Sequence, residues 1–279
     1  MTIVLRSRAG VGETGSMTRL LKRTLEAMGT GEVLINPADM PRDAVQVSYG
    51  VNLRQSRVPT MNQQAGVLSK LEQMTAMQAR GVSIVPTATI AQMREMIAHY
   101  GVNAGNFGIW LGRKLDHTQG KDIMTVFQPE EVEWRVAAGA AFFTQYVPIA
   151  REFRVWSYRR RHMGTYEKRM ARPAEYSRLG RSAHNGFGFY IVRSEDVPRG
   201  AVEQAKMAVE ALDLDYGAAD IIEGKDGRFY VLEVNTAPGI EGTERAVLRA
   251  WCEHIMRWSR NPTKRSAVDW TTQWWRAAA

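Results

Sequence analysis

Gly217-Ala-Ala-Asp-Ile-Ile-Glu-Gly-Lys-Asp-Gly-Arg-Phe-Tyr-Val-Leu-Glu-Val-Asn235 decides how this chain folds. Asp226-Gly227 lies between two apolar runs and marks a tight hairpin, because both central positions of such a turn adopt positive φ. Treated as a two-residue loop, the dipeptide sets Lys225 opposite Arg228. Counting back along both strands then sets Asp220 opposite Glu233. Strand alternation puts Asn235 on the same face and turns Ile221, Leu232 and Val234 to the other, where they anchor the hairpin in the core. Carboxylates facing each other across a ladder stand roughly 5 Å apart at Cβ and repel unless a cation lies between them. Two acids and an amide oxygen are hard ligands with room left for water and phosphate, a donor set that suits magnesium. The blander alternative is a pair of solvated acids tied to nearby arginines. Against it stands Thr236-Ala-Pro-Gly239, a sharp turn that fixes the end of the strand where the acids lie.

Upstream, the pattern is that of an α/β chain. A strand over 3–5 leads through a Gly-rich turn into an amphipathic helix carrying Met17, Leu20, Leu21, Leu25 and Met28, with Ser16 as cap and Gly29 as stop. Strands over 33–35 and 45–47 complete a small N-terminal α/β lobe, 1–58, closed by Pro59. A helix pattern from Asn62 through Leu68, Leu71, Met74 and Met77 stops at Gly81, and a strand over 82–85 breaks at Pro86. A second helix uses Ile90, Met93, Ile97 and Tyr100. The polar loop 112–121 between two apolar runs reads as a ligand cover. Strands over 142–147, 152–158, 162–169 and 187–192, a helix over 199–212, the hairpin and a closing helix follow. The divisions are therefore 1–58, 59–143 and 144–279. The tail with Trp270, Trp274 and Trp275 reads as a packing segment.

Composition bounds the function without naming it. Hydrophobic residues at 44% and charged residues at 24% describe an ordinary globular protein. Cys252 is the sole cysteine, which excludes an intrachain disulfide and a cysteine zinc site, and fits a reducing cytoplasm. No run approaches the ~20 apolar residues of a spanning helix, so no membrane partner is expected. Lys plus Arg total 37 against 29 acids, and the net charge of +8 favours anionic ligands.

With these residues in view, the sequence resembles the ATP-grasp superfamily, and within it the RimK-like carboxylate–amine ligases. Leu232-Glu-Val-Asn235 with its Pro238-Gly239 turn is similar to that family's metal-binding strand, and Asp220 falls where the family has its other metal ligand. Ser69-Lys70 ahead of Gly81-Val-Ser-Ile-Val-Pro-Thr87 resembles the first nucleotide lysine and the strand after it, and Lys114 matches the second, phosphate-binding lysine. His117-Thr-Gln-Gly120-Lys121 looks like the lid over the phosphates, and Phe143-Thr-Gln-Tyr-Val147 looks like the hinge whose backbone at Gln145, Tyr146 and Val147 reads adenine. By the same resemblance Glu152 binds ribose and Arg154 faces phosphate or acyl phosphate. His184-Asn185-Gly-Phe-Gly188 is similar to the Asn and Gly stretch before the final helix, and the substrate side gathers Arg6, Arg8, Lys168, Asn185 and Gly239. The likeness runs from about 62 to 242. Lys114 follows Arg113 and lacks the usual Pro after it, and the lid has a single glycine.

The resemblance implies an ATP-grasp fold, with two α+β subdomains clamping ATP. It implies ATP and Mg2+, two ions with Mn2+ as an admissible substitute. It also implies a ligase that joins a carboxylate to an amine through an acyl phosphate, on an amino acid or a peptide. Phosphoryl transfer rests on positioning and charge neutralisation, which accounts for a candidate set of lysines, arginine and acids with no covalent nucleophile. Arg154, Lys114 and Asn235 are its candidate catalytic residues. A homodimer would be in keeping with the family.

Two rivals remain open. Gly10-Val-Gly-Glu-Thr-Gly15 is formally a dinucleotide fingerprint, discounted because Arg6-Ser-Arg8 precedes it, Pro37 comes early and no full set of parallel strands is expected after it. Those glycines with Arg6 and Arg8 could instead hold a substrate carboxylate. The second rival is a nucleic-acid binder: residues 151–181 carry ten Lys or Arg against three Glu, interleaved with tyrosines. Such a run could equally recruit an acidic or nucleic-acid substrate to a ligase. No Gly-x-Ser-x-Gly elbow or His-Glu-x-x-His pattern is present.

Overall fold

The computed structural model of the chain describes residues 2–8, 16–100, 107–115, 123–171, 186–239 and 245–262. The α/β mixture expected from the sequence is arranged around three sheets.

The first sheet contains β1 (Ile3–Ser7), β2 (Val33–Ile35), β3 (Val45–Tyr49) and β4 (Thr60–Met61), in the order β2-β1-β3-β4. Every pair is parallel. A full set of parallel strands therefore does follow β1, contrary to expectation, because β4 is too short to show any alternation in sequence. The glycine run 10–15 lies outside the described residues. Helix α1 (Ser16–Ala27) packs Leu21 and Leu25 inward as expected, but Thr18 joins them and Leu20 is exposed. Gly29 sits at φ 81 just beyond the helix end, a backbone conformation that glycine adopts without steric cost.

The second sheet contains β5 (Thr87–Thr89), β6 (Trp110–Arg113), β7 (Met124–Val126) and β8 (Phe142–Gln145), antiparallel in the order β5-β8-β6-β7. Ahead of it, α2 (Lys70–Ala79) begins eight residues later than the apolar spacing predicts. The capping box decides the start: Ser69 accepts from the Glu72 N–H, and the Glu72 carboxylate accepts from the Ser69 N–H at 2.7 Å. The strand expected over 82–85 is a single bridge, Ile84 to Val231, and regular pairing begins only after Pro86. Helix α3 (Ile90–Tyr100) is as expected. Helix α4 (Glu131–Ala137) was not foreseen, although Glu131 signals it by accepting the N–H groups of Phe127 and Gln128 at 2.6 and 3.1 Å.

The largest sheet contains β9 (Ile149–Tyr158), β10 (Arg161–Met170), β11 (Phe187–Ile191), β12 (Tyr216–Gly224) and β13 (Phe229–Asn235), in the order β11-β10-β9-β12-β13. One face, with Phe153, Val155, Ile221, Val231 and Val234, buries against α2 and α5 (Arg199–Ala211). Part of the other face carries Trp156, Tyr158 and Tyr216, which share a core with the first sheet, α1 and the closing helix α6 (Arg245–Arg260). The rest of that face is polar, and there the candidate residues collect. Among the described residues no helix is long and apolar enough to cross a membrane.

Candidate active site

The hairpin delivers the expected pairing by an unexpected route. Its loop has three residues: the Gly227 N–H donates to Gly224 O at 2.9 Å, and the Gly224 N–H donates to Arg228 O at 2.8 Å. Only Gly227, at φ 77, takes positive φ; Asp226 does not. Asp226 instead accepts from the Arg228 N–H and the Tyr230 hydroxyl, which stabilises a turn of the longer kind. The ladder next to the loop therefore pairs Glu223 with Phe229 and Ile221 with Val231, one step off the two-residue count. A bulge at Leu232 inserts one extra residue and restores Asp220 opposite Glu233 and Ala218 opposite Asn235. Leu232 is accordingly only half-buried, and Val231 takes the core position beside Val234.

Asp220 lies on the middle strand of three, paired with Arg154 of β9 on one side and Glu233 of β13 on the other. Paired residues share a face, so the guanidinium and both carboxylates stand in one row. Arg154 grips Asp220 with two bonds, Nε to Oδ1 at 2.7 Å and Nη2 to Oδ2 at 2.8 Å. Burial would raise the Asp220 carboxyl, yet the Arg154 charge and hydrogen bonds hold it below the usual carboxylate range. For Arg154, burial opposes the charge, and Asp220 more than restores it. Lys70, at the first turn of α2, reaches Glu233 at 2.6 Å. Asn235 Nδ2 donates to Asp220 at 3.3 Å and to Glu233 at 3.4 Å, tying the two acids together.

The other predicted residues divide between this cluster and elsewhere. Glu152 and Lys168, expected at ribose and at substrate, are paired with each other at the edge of the row. Lys168 still bears on Asp220 by its charge. Lys114 is not in the row. Trp110 and Gly112 of β6 pack among Ala140, Phe143 and Val126, and Lys114 follows on that face with its Cε beside Gly139. Strand parity turns Arg113 the opposite way, where its charge meets that of Glu233 and its Nε donates to Thr144 Oγ1 at 3.2 Å. Burial pushes the Arg113 guanidinium down and Glu233 partly offsets this. The alternation of β6 was the signal that would have identified it.

At the hinge, the Gln145 N–H donates to Pro86 O and the Tyr146 N–H to Ile109 O. Both of those N–H groups are thus engaged within the protein. Arg6 donates to Pro37 O, away from the row. Arg8 donates through Nε to Gly50 O, and Gly50 packs against Thr236 and Ala237 just past Asn235. Tyr49, missed in the sequence, also belongs here: its hydroxyl donates to Pro238 O at 2.8 Å, and burial raises its pKa while the Arg154 charge lowers it. Gly239 is exposed at the rim. The lid residues His117, Gly120 and Lys121, and Asn185 with His184, lie outside the described residues.

The donor set fits a divalent cation: two oxygen acids on one face, each now neutralised by a side-chain cation, with an amide between them that can present its oxygen after a half-turn. Among the described residues there is no cluster of three or more His, Cys, Asp or Glu, so a cation site here would rest on two carboxylates and an amide. Among the described residues of the basic run 151–181, six of the seven Lys or Arg are in ion pairs, including Arg160 with Glu210. Arg151 and Arg169 pair with Glu167, Arg159 with Asp215, and Arg154 and Lys168 as above.

No protein-family model matches the sequence, and no curated protein does. Solved structures do. The ATP-grasp ligase PsnB complexed with minimal precursor, Mg and ADP superposes with a TM-score of 0.65 at 11% identity, covering 92% of this chain and 97% of that one. The macrocyclase MdnC from Microcystis aeruginosa MRC, bound with precursor peptide MdnA, gives 0.62 at 14% identity over 92% and 100%. The D-cycloserine synthetase DcsG gives 0.60 at 16% identity over 91% and 100%. The chain has the ATP-grasp fold.

Proposed function

We propose that this protein is an ATP- and magnesium-dependent ligase that activates a carboxylate as an acyl phosphate and joins it to an amine of an amino acid or peptide. The row Arg154–Asp220–Glu233–Lys70, with Arg113 behind it, carries the reading. Four cations, Lys70, Arg113, Arg154 and Lys168, converge on Asp220, Glu233 and Glu152, which leaves a net positive polar face suited to a polyanion. The fold supports the nucleotide, and peptide-bound PsnB and MdnC support a peptide carboxylate.

Magnesium held by Asp220, Glu233 and Asn235 would supply charge neutralisation at the phosphate oxygens. Lys70 and Arg113 hold the phosphates, and each has to give up part of its interaction with Glu233 to do so. Arg154 orients the attacking carboxylate. Its oxygen bonds to the γ-phosphorus as the bond to ADP breaks; the amine then bonds to the acyl carbon as the bond to phosphate breaks, and the departing phosphate carries off the amine proton. Glu152 and Lys168 keep the edge of the row charged and ordered, and Arg8 with Tyr49 lines the substrate end.

The test is ADP release with ATP, magnesium and pooled amino acids and acidic peptides. The wild type should turn over, and Glu233→Gln should lose turnover by at least about 100-fold with an unchanged fold. A Glu233→Gln protein that releases ADP normally would sink the assignment.

A further inference from the structure

Phe189 stands on the edge strand β11, paired with Lys168, so its ring rises on the same face as the acid–base row. The Arg154 guanidinium carbon lies 4.5 Å from its centroid and Lys168 Nζ lies 5.4 Å away. Both distances are within the range in which a ring face attracts a cation. The ring is 40% exposed and belongs to none of the three hydrophobic cores. An aromatic side chain left open on an edge strand is a liability that folding alone does not require. Arg154 uses Nε and Nη2 for Asp220, and Nη1 takes no part in that pairing.

We infer that Phe189 is a positioning residue. Its ring covers the guanidinium face and fixes the plane of Arg154, so that the Nη1 edge is presented to the reacting carboxylate. Asp220 grips two nitrogens in the plane but leaves the group free to tilt about that contact; the ring removes the tilt. This rests on the ligase reading for its kinetic consequence, and not for its geometry.

The experiment compares Phe189→Leu, which keeps bulk and loses the ring, with Phe189→Trp, which keeps a ring. Two readouts are needed. In the ligand-free protein the Arg154 Nε–Hε resonance, assigned by its loss in Arg154→Lys, should shift and exchange faster with water in Phe189→Leu and stay protected in Phe189→Trp. With Mg-ATP and substrate, Phe189→Leu should lower kcat about tenfold while the Mg-ADP dissociation constant stays within about twofold, and Phe189→Trp should recover most of the rate. An unchanged resonance and rate in Phe189→Leu, or equal losses in Leu and Trp, would overturn the inference. Should the wild type release no ADP, the ligase reading fails by itself, and the Arg154 resonance alone then upholds or overturns the role of Phe189.

Discussion

Asp220 is 5% exposed and is held by a two-bond contact to Arg154, whereas the Glu233 side chain is 29% exposed and meets Lys70 at 2.6 Å. Removing one partner of a buried pair strands the other, so Asp220→Asn should cost about 3 kcal/mol in urea unfolding at pH 7. The same substitution should flatten the acid limb. A carboxyl held below its unfolded pKa stabilises above that value and loses the contribution as pH falls through the folded one; its ordinary value is 3.8. Wild-type stability should therefore fall more steeply than that of Asp220→Asn below about pH 4. The partly exposed Lys70–Glu233 pair contributes under about 1 kcal/mol. For nucleotide affinity, Arg113→Ala should weaken Mg-ADP binding about tenfold or more, and Lys114→Ala should leave it within about twofold. Isothermal titration separates the two, and the reverse order would return the phosphate role to Lys114. Reading 113 and 114 by motif position favoured the lysine. Reading them by strand parity favours the arginine.

Among the elements, the hairpin shows how legibility can be right in its result and wrong in a step. Asp226-Gly227 did announce a reversal, and Asp220 does face Glu233. The loop is nevertheless one residue longer, and Leu232 is extra, so two departures cancel. No local signal in Val-Leu-Glu announces a bulge, because its cause is the fit of β13 against its neighbours. Gly227 alone needs the left-handed region, so Gly227→Ala should destabilise by about 1–2 kcal/mol in thermal unfolding, while Asp226→Ala, which removes only exposed contacts, should cost less. Strong local chemistry was legible: the apolar spacing of α3 and α5, and the glycine ending α1. The late start of α2 and the existence of α4 were also written locally, in Ser69/Glu72 and in Glu131, but apolar periodicity alone does not register caps. The two-residue β4 was not legible, since pairing with β3 makes it a strand.

Across the whole molecule, Trp251 of α6 touches three rings from three places: Tyr49 of the first sheet at 6.0 Å, Trp156 of β9 at 5.5 Å and Tyr216 of β12 at 4.6 Å. Asn62, just beyond β4, adds a second tie, accepting the N–H groups of Asp215 and Tyr216 while its own N–H donates to Asp215. The first sheet and the largest sheet thus share one interior. Trp251→Ala should cost about 3–5 kcal/mol, and unfolding followed by near-UV and far-UV circular dichroism should stay coincident. Separate transitions would show the two sheets to be independent. Gly164 lets α6 approach β10, since a Cβ there would collide with Val247.

That shared interior has a temporal side. During synthesis Ile3–Ser7 is made well before the helix that completes its packing, Arg245–Arg260. Until α6 is made, Leu21, Leu25 and Val47 lack the partners it supplies. Apolar surface left open in this way favours aggregation, so a chain ended before Arg245 should be recovered in the insoluble fraction on expression.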